Sequence, residues 1–146
     1  MTVLIADAAH TALLAAPAAG ASLETAQELF YNGQYEQAAT LTRSVAADDV
    51  DLEVMELRTS AMLFQIRRAI GDGADKERAL KACGTCPGLI RDFKAEFTRG
   101  RAMAREAVAK HPKDAAALFY LGKLNLNYVW LELGTLGHRT GWNEYW

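Results

Sequence analysis

The chain has 146 residues, of which 51% are hydrophobic, enough for one domain with a buried core. Its 16 Lys and Arg against 18 Asp and Glu give a net charge of −2, so it lacks the basic character of a nucleic-acid-binding protein. Away from the N-terminus, no apolar run is long enough for a transmembrane helix. We therefore predict neither nucleic-acid binding nor a membrane span. The many alanines favour helix over sheet.

The first 21 residues form an Ala-rich segment that has two interpretations. A short apolar run at 11–16 precedes the small residues at 19–21, which are similar to the cleavage site of an export signal. No Lys or Arg precedes the run, however, and Asp7 and His10 lie beside it. The alternative is an extra helix that packs on the next one. The compartment therefore stays open between cytoplasmic and periplasmic or exported.

Residues 22–146 form the predicted domain, a series of helices separated by short breaks. Ser22 is the predicted N-cap of the first helix, and Asn32-Gly33 ends it. A second helix over 35–47 follows so closely that the two must form an antiparallel hairpin. Further helices are predicted over 51–70, 75–83, 89–110 and 115–133, and residues 142–146 are typical of the first turn of another helix.

Two glycines lie inside predicted helices. Gly100 interrupts the 89–110 helix at a cost of about 1 kcal/mol relative to Ala, which indicates close approach of another helix or local fraying. Gly122 lies among large residues of the 115–133 helix, where it is predicted to let a neighbouring helix approach closely. Asp114 is the predicted cap of that helix, after the break at His111-Pro112. The predicted buried positions of the 89–110 helix are Ile90, Phe93, Phe97, Ala104 and Val108.

Three predicted helices share one spacing: a large residue, a small residue four positions on, and an apolar residue three further. The copies are Leu57/Ala61/Phe64, Leu118/Gly122 with Asn125 in place of the apolar residue, and a weaker Ser22/Ala26/Leu29, in which Ser22 replaces the large residue. Ser22 and Leu57, the first positions of two of these copies, are 35 residues apart. This interval is close to the ~34-residue period of a tetratricopeptide unit.

In these residues the chain resembles tetratricopeptide-repeat proteins. The first helix of that family has an aromatic residue, a leucine and a glycine, where this chain has Leu118, Leu121 and Gly122. Its inter-helix turn and the small residue that follows resemble Gly33-Gln34-Tyr35 with Ala38. Its second-helix alanine and terminal proline resemble Ala107 and Pro112. The resemblance implies an all-α fold of about six helices, stacked as antiparallel hairpins in a TPR-like α-solenoid. The last repeat would be incomplete at residue 146.

The resemblance also implies a function, that of a protein- or peptide-binding scaffold or assembly module, without catalysis and without a cofactor. The positions it assigns to the concave peptide-binding surface are Gln27, Phe30, Tyr31, Phe119, Lys123, Leu126 and Asn127. Aromatic and amide side chains there either dock a peptide or pack on a neighbouring helix. An uncapped terminal helix predicts, as an alternative, a structural fragment that self-associates as a homodimer.

Cys83 and Cys86 form the only motif with reactive potential. A CxxC at a helix start can lower a thiol pKa, but no βαβ pattern surrounds this one, and Pro87 stands where haem attachment requires His. The three histidines lie too far apart in the sequence to complete a zinc site. Three interpretations stay open: a local disulfide or structural thiols, packing alone, or a thiol redox or metal-binding protein. No catalytic set is predicted.

Two asparagines, Asn125 and Asn127, alternate with apolar residues in the 115–133 helix. Buried amides need hydrogen-bond partners, so these side chains either tie one helix to another or face a groove.

Overall fold

The computed structural model describes residues 19–45, 50–73 and 75–137. Within these ranges the chain forms α1 (Ala19–Tyr31), α2 (Tyr35–Arg43), α3 (Leu52–Ile70), α4 (Lys76–Ala82), α5 (Cys86–Lys110) and α6 (Ala115–Val129), and a π-helical turn (Trp130–Thr135) continues α6. The described ranges contain no β-strand, which confirms the all-α prediction. The apolar run at 11–16 of the predicted export signal and the predicted helical turn over 142–146 lie outside the described residues, whereas the small residues at 19–21 lie in α1.

Glycines and aspartates set most of the helix ends. Gly33 after α1 and Gly71 after α3 have φ values of 74° and 73°, which glycine adopts without a steric penalty. The side chains of Asp51, Asp75 and Asp114 each accept a hydrogen bond from a backbone N–H in the first turn of α3, α4 and α6. The predicted cap at Asp114 is therefore confirmed.

Two predicted helix starts are wrong. The first helix begins at Ala19 rather than after an N-cap at Ser22, because the small residues that precede Ser22 continue the helix. Helix α5 begins at Cys86 rather than Leu89, because Pro87 lies in the first turn, where its missing N–H is not needed.

Two predicted helix ends are wrong as well. Helix α2 ends at Arg43, four residues early, and the hydroxyl of Ser44 donates to the Leu41 carbonyl. The α-helical part of α6 ends at Val129, and the chain then widens into the π-helical turn, where the Thr135 hydroxyl donates to a carbonyl five residues back.

Helix α3 is the centre of the fold and packs on α1, α2, α5 and α6. It runs antiparallel to α5, because Arg58 pairs with Glu96 whereas Met55, one turn earlier, lies against Gly100, one turn later. It runs parallel to α6, because its residues Glu56 and Ser60 contact α6 residues that are also four positions apart. Helix α2 runs antiparallel to α3, because Tyr35 packs on Phe64 whereas Thr42, later in α2, accepts a hydrogen bond from Arg58, earlier in α3. Helix α1 runs in the same direction as α3, because Gln27 donates to Glu53 and Phe30, later in α1, packs on Phe64, later in α3.

Small residues let these helices approach closely. Ala26, Ala38, Ala61 and Ala104 are fully buried. A Cβ added to Gly100 would lie 3.2 Å from a Leu124 side-chain carbon and 3.3 Å from the Met55 Cβ. Close approach, rather than fraying, is therefore the role of Gly100.

The predicted role of Gly122 is wrong. A Cβ on Gly122 would meet nothing within 4 Å, and Leu118, one turn before it, is 46% exposed. Helix α6 buries Ala117 and Leu124 instead, so its packed face is rotated away from the Leu118/Gly122 positions of the predicted repeat.

The largest core side chains come from α3, α5 and α6 and from the turn that follows. Fully buried among them are Met55, Met62, Leu63, Ile66, Phe93, Leu124 and Leu131. Of the five predicted buried positions in α5, three (Phe93, Phe97 and Ala104) are buried and the other two are half-buried.

A disulfide joins Cys83 to Cys86, across the turn between α4 and α5. Cys86 is fully buried and Cys83 is half-buried against the core. The bond ties α4, which has no fully buried residue, to the start of the longest helix.

We expect reduction of this disulfide to lower the free energy of unfolding by about 2 kcal/mol, the loop-closure term for a four-residue loop. Chemical denaturation with and without dithiothreitol measures the change. Cys83→Ser is the control: it starts at the lower stability, and dithiothreitol leaves it unchanged. A wild-type midpoint that is insensitive to dithiothreitol would contradict the expectation.

Candidate functional site

A groove of about 570 Å³ lies along α3, between α1 and α6. We call it the α3 groove. Its lining consists of Gln27, Phe30 and Tyr31 from α1, Glu53, Glu56, Leu57, Ser60, Leu63, Phe64 and Arg67 from α3, and Phe119, Tyr120, Lys123, Leu126, Asn127 and Trp130 from α6 and its π-helical turn. The α3 residues recur every three or four positions, which places them on one face of that helix.

All seven residues of the predicted concave surface line this groove: Gln27, Phe30, Tyr31, Phe119, Lys123, Leu126 and Asn127. The structure therefore brings together α1 and α6 positions that are about ninety residues apart in the sequence. Sequence reasoning missed the whole α3 contribution, although Glu53, Leu57, Ser60, Phe64 and Arg67 follow helical spacing. It also missed Trp130, whose position depends on the π-helical turn.

The groove gathers most of the large exposed apolar side chains. Among the described residues five such side chains are exposed, and four of them line the groove: Tyr31 (84%), Phe119 (58%), Trp130 (48%) and Leu126 (44%). The fifth, Leu118, lies next to Phe119 in the chain but outside the lining. Contiguous exposed apolar surface on a folded domain is characteristic of interaction sites.

One end of the groove carries a stacked arginine. The Arg67 guanidinium carbon lies 5.1 Å from the centre of the Phe64 ring and 5.7 Å from that of Trp130. Phe64 in turn contacts Phe30 edge-on, with ring centres 5.5 Å apart. These contacts fix the arginine side chain in place. Within the described residues no carboxylate forms an ion pair with it.

The opposite end is acidic. Glu53 accepts a hydrogen bond from Gln27 Nε2 at 3.0 Å. Burial of the Tyr120 phenol raises its pKa, and the negative charges of Glu53, Asp51 and Glu56 and a hydrogen bond to Glu53 raise it further. Glu53 lines the groove and forms no ion pair within the described residues, so it is the unpaired negative charge at this end.

Polar contacts join α6 to α3 across the groove floor. The Asn127 amide donates to Thr59 Oγ1 at 3.1 Å and to Ser60 Oγ at 2.9 Å. Lys123 Nζ lies 3.3 Å from Glu56 Oε1, which also accepts a hydrogen bond from Ser60. Asn127 thus both ties helix to helix and lines the groove.

The second asparagine of this helix behaves differently. Asn125 does not line the groove, and its Oδ1 has no hydrogen-bond partner among the described residues. Of the two asparagines, only Asn127 therefore belongs to the candidate site.

The cysteine pair lies outside the groove, and both sulfurs are engaged in the disulfide. Among the described residues, no three His, Cys, Asp or Glu side chains cluster so that they could hold a metal ion. None of the described helices is both long and apolar enough to cross a membrane.

In comparisons with known proteins, no family model, no curated protein and no solved structure matches this chain.

Proposed function

We propose that this chain is a protein-interaction module of tetratricopeptide type that binds a peptide segment of its partner in the α3 groove. The observation that carries the proposal is the convergence of Tyr31, Phe119, Leu126 and Trp130 on one groove whose floor is held by hydrogen bonds. Exposed aromatic side chains around fixed polar groups are the usual composition of a peptide-docking surface.

The order of the helices supports a repeat stack. Helices α1 and α2 form the first hairpin, α3 and α5 the second, and α6 is the first helix of a third. The parallel side-by-side arrangement of α1, α3 and α6 is what such a stack requires. The short α4 between α3 and α5 accounts for the long interval between the second and third copies of the spacing pattern.

Binding in this groove would follow the energetics of interface hot spots. Tyr31, Phe119 and Trp130 can bury large rings against a ligand, and rings of this kind contribute most of the binding energy in protein interfaces. Asn127 and Lys123 are held in place by α3, so they would orient the ligand at little cost in side-chain entropy.

A peptide-display selection on the full chain tests the proposal. We expect selected peptides to bind the wild-type protein and to lose about tenfold in affinity with Phe119→Ala, since truncation of an aromatic anchor costs more than 1 kcal/mol. Leu118→Ala is the matched control, because Leu118 is exposed to a similar extent but does not line the groove. Its affinity should stay within twofold of wild type.

Equal losses from the two substitutions would contradict docking in the groove. If the groove is instead a contact between two copies, Phe119→Ala would convert a dimer to a monomer in sedimentation experiments, and no selected peptide would compete with the dimer. If the chain instead self-associates through an uncapped terminal helix, the alternative predicted from the sequence, Phe119→Ala should leave the dimer intact.

A further inference from the structure

The α3 groove has opposite charges at its two ends. Glu53 lies in the first turn of α3 and Arg67 in the last, and both line the groove. Neither forms an ion pair within the described residues. Between them, Lys123 and Glu56 lie 3.3 Å apart and neutralise each other. The two uncompensated charges are thus separated along the groove.

The length of the groove sets the spacing that a ligand needs. Glu53 and Arg67 are fourteen positions apart in α3, which corresponds to about 21 Å at 1.5 Å per residue. An extended chain rises about 3.3 Å per residue, so about six residues cover that distance.

The volume of the groove favours an extended ligand over a helical one. A helix about 10 Å wide and 21 Å long would occupy roughly 1,600 Å³. The whole empty space of the groove up to its mouth, the quantity to compare with the volume of a ligand, is about 1310 Å³. An extended chain about 4.8 Å by 10 Å in cross-section needs roughly 1,000 Å³ over the same length. An extended segment therefore fits inside the groove, whereas a helix would protrude from it.

On the basis of the proposed function, we propose that the groove selects an extended segment with a basic residue at the Glu53 end and an acidic residue about six positions away at Arg67. Side chains of an extended chain alternate between its two faces. The residues between the charges therefore present apolar side chains to Phe119, Leu126 and Trp130 at every second position.

The stacked arginine gives this recognition its specificity. Phe64 and Trp130 hold the Arg67 guanidinium over their rings, so it can pair with a carboxylate without first becoming ordered. At the other end, a second carboxylate would face the negative charge of Glu53. Like charges at either end would be disfavoured.

Three probe peptides, acetylated and amidated, test the inference. The matched probe is Lys-Ser-Phe-Ser-Leu-Ser-Glu, and the other two carry Lys at both ends or Glu at both ends. Titrations followed by NMR shifts of the groove residues, at low salt, give the affinities. We expect the matched probe to bind the wild-type chain roughly two- to fivefold more tightly than either control.

Charge reversal of the protein should reverse this preference. Arg67→Glu is expected to prefer the Lys/Lys probe over the matched one, and Arg67→Gln to bind the two equally. Arg91→Glu is the control, because Arg91 is exposed, pairs with its neighbour Asp92 and lies outside the groove. It should keep the wild-type order of affinities.

Two results would overturn the inference. If the three probes bind equally to wild type and Arg67→Glu, charge selection is wrong, although a loss of binding with Phe119→Ala would still support docking in the groove. If no probe shifts the groove residues, charge selection is also wrong, and the display selection decides separately whether the groove binds peptides.

Discussion

Replacement of Glu96 with alanine is expected to lower the free energy of unfolding by about 3 kcal/mol, since it leaves a buried cation without its counter-ion. Arg58 is only 3% exposed, and its Nη1 lies 2.9 Å from Glu96 Oε2. Its other terminal nitrogen donates to the backbone carbonyl of Thr42, near the end of α2. One guanidinium thus joins three helices.

The arginine stays charged in this site. The pKa of Arg58 is lowered by burial and by the positive charges of Arg99 and Arg43, while the hydrogen bond and the negative charge of Glu96 oppose that shift. An arginine begins from a pKa so high that burial does not neutralise it. Without Glu96 the charge would remain, and the folded state would carry the cost of desolvation.

Urea denaturation of three variants tests this account. Glu77→Ala removes an exposed carboxylate from a pair with Lys81 and should leave stability unchanged. The double variant Arg58→Met/Glu96→Leu should lose less stability than Glu96→Ala alone, since apolar side chains can replace a buried ion pair. A Glu96→Ala variant as stable as wild type would contradict the account and show that water reaches the guanidinium.

The helices were predictable from the sequence because their signals are local. Gly33 and Asp114 mark a helix end and a helix start through the conformation or hydrogen bonds of a few neighbouring residues. The errors occurred where a signal has two meanings. Pro87 usually ends a helix but also suits a first turn, and a serine such as Ser22 can cap a helix or lie inside one.

The side of a helix that faces the core was less predictable. The Leu118/Gly122 spacing was compatible with a repeat, yet α6 packs through Ala117 and Leu124. Leu, Tyr and Val occur around most of this helix, so its apolar pattern does not define one face. The contacts of Gly100 with Met55 and Leu124 then decide the rotation.

The candidate site was predictable in part, for a similar reason. The resemblance to a repeat family supplied positions on α1 and α6, but not the central helix that forms the floor of the groove. The pairing of Asn127 with Ser60 and the stacking of Arg67 on Trp130 depend on how α6 lies against α3. Contacts between helices distant in the sequence leave no local pattern.

Two phenylalanine truncations should separate stability from binding. Phe93→Ala is expected to lower the free energy of unfolding by about 3 to 5 kcal/mol, because Phe93 is fully buried and its loss leaves a cavity in the hydrophobic core. Phe119→Ala, whose side chain is 58% exposed, should change stability by less than about 0.5 kcal/mol.

When binding is measured on folded protein, the order should be reversed: Phe119→Ala should lose affinity and Phe93→Ala should not. At a temperature where Phe93→Ala is still native, it should bind selected peptides with wild-type affinity, since Phe93 does not line the groove. Phe119→Ala should be as stable as wild type and bind poorly. If Phe119→Ala unfolded as readily as Phe93→Ala, its ring would be part of the core, and the aromatic surface of the groove would have a structural role rather than a binding one.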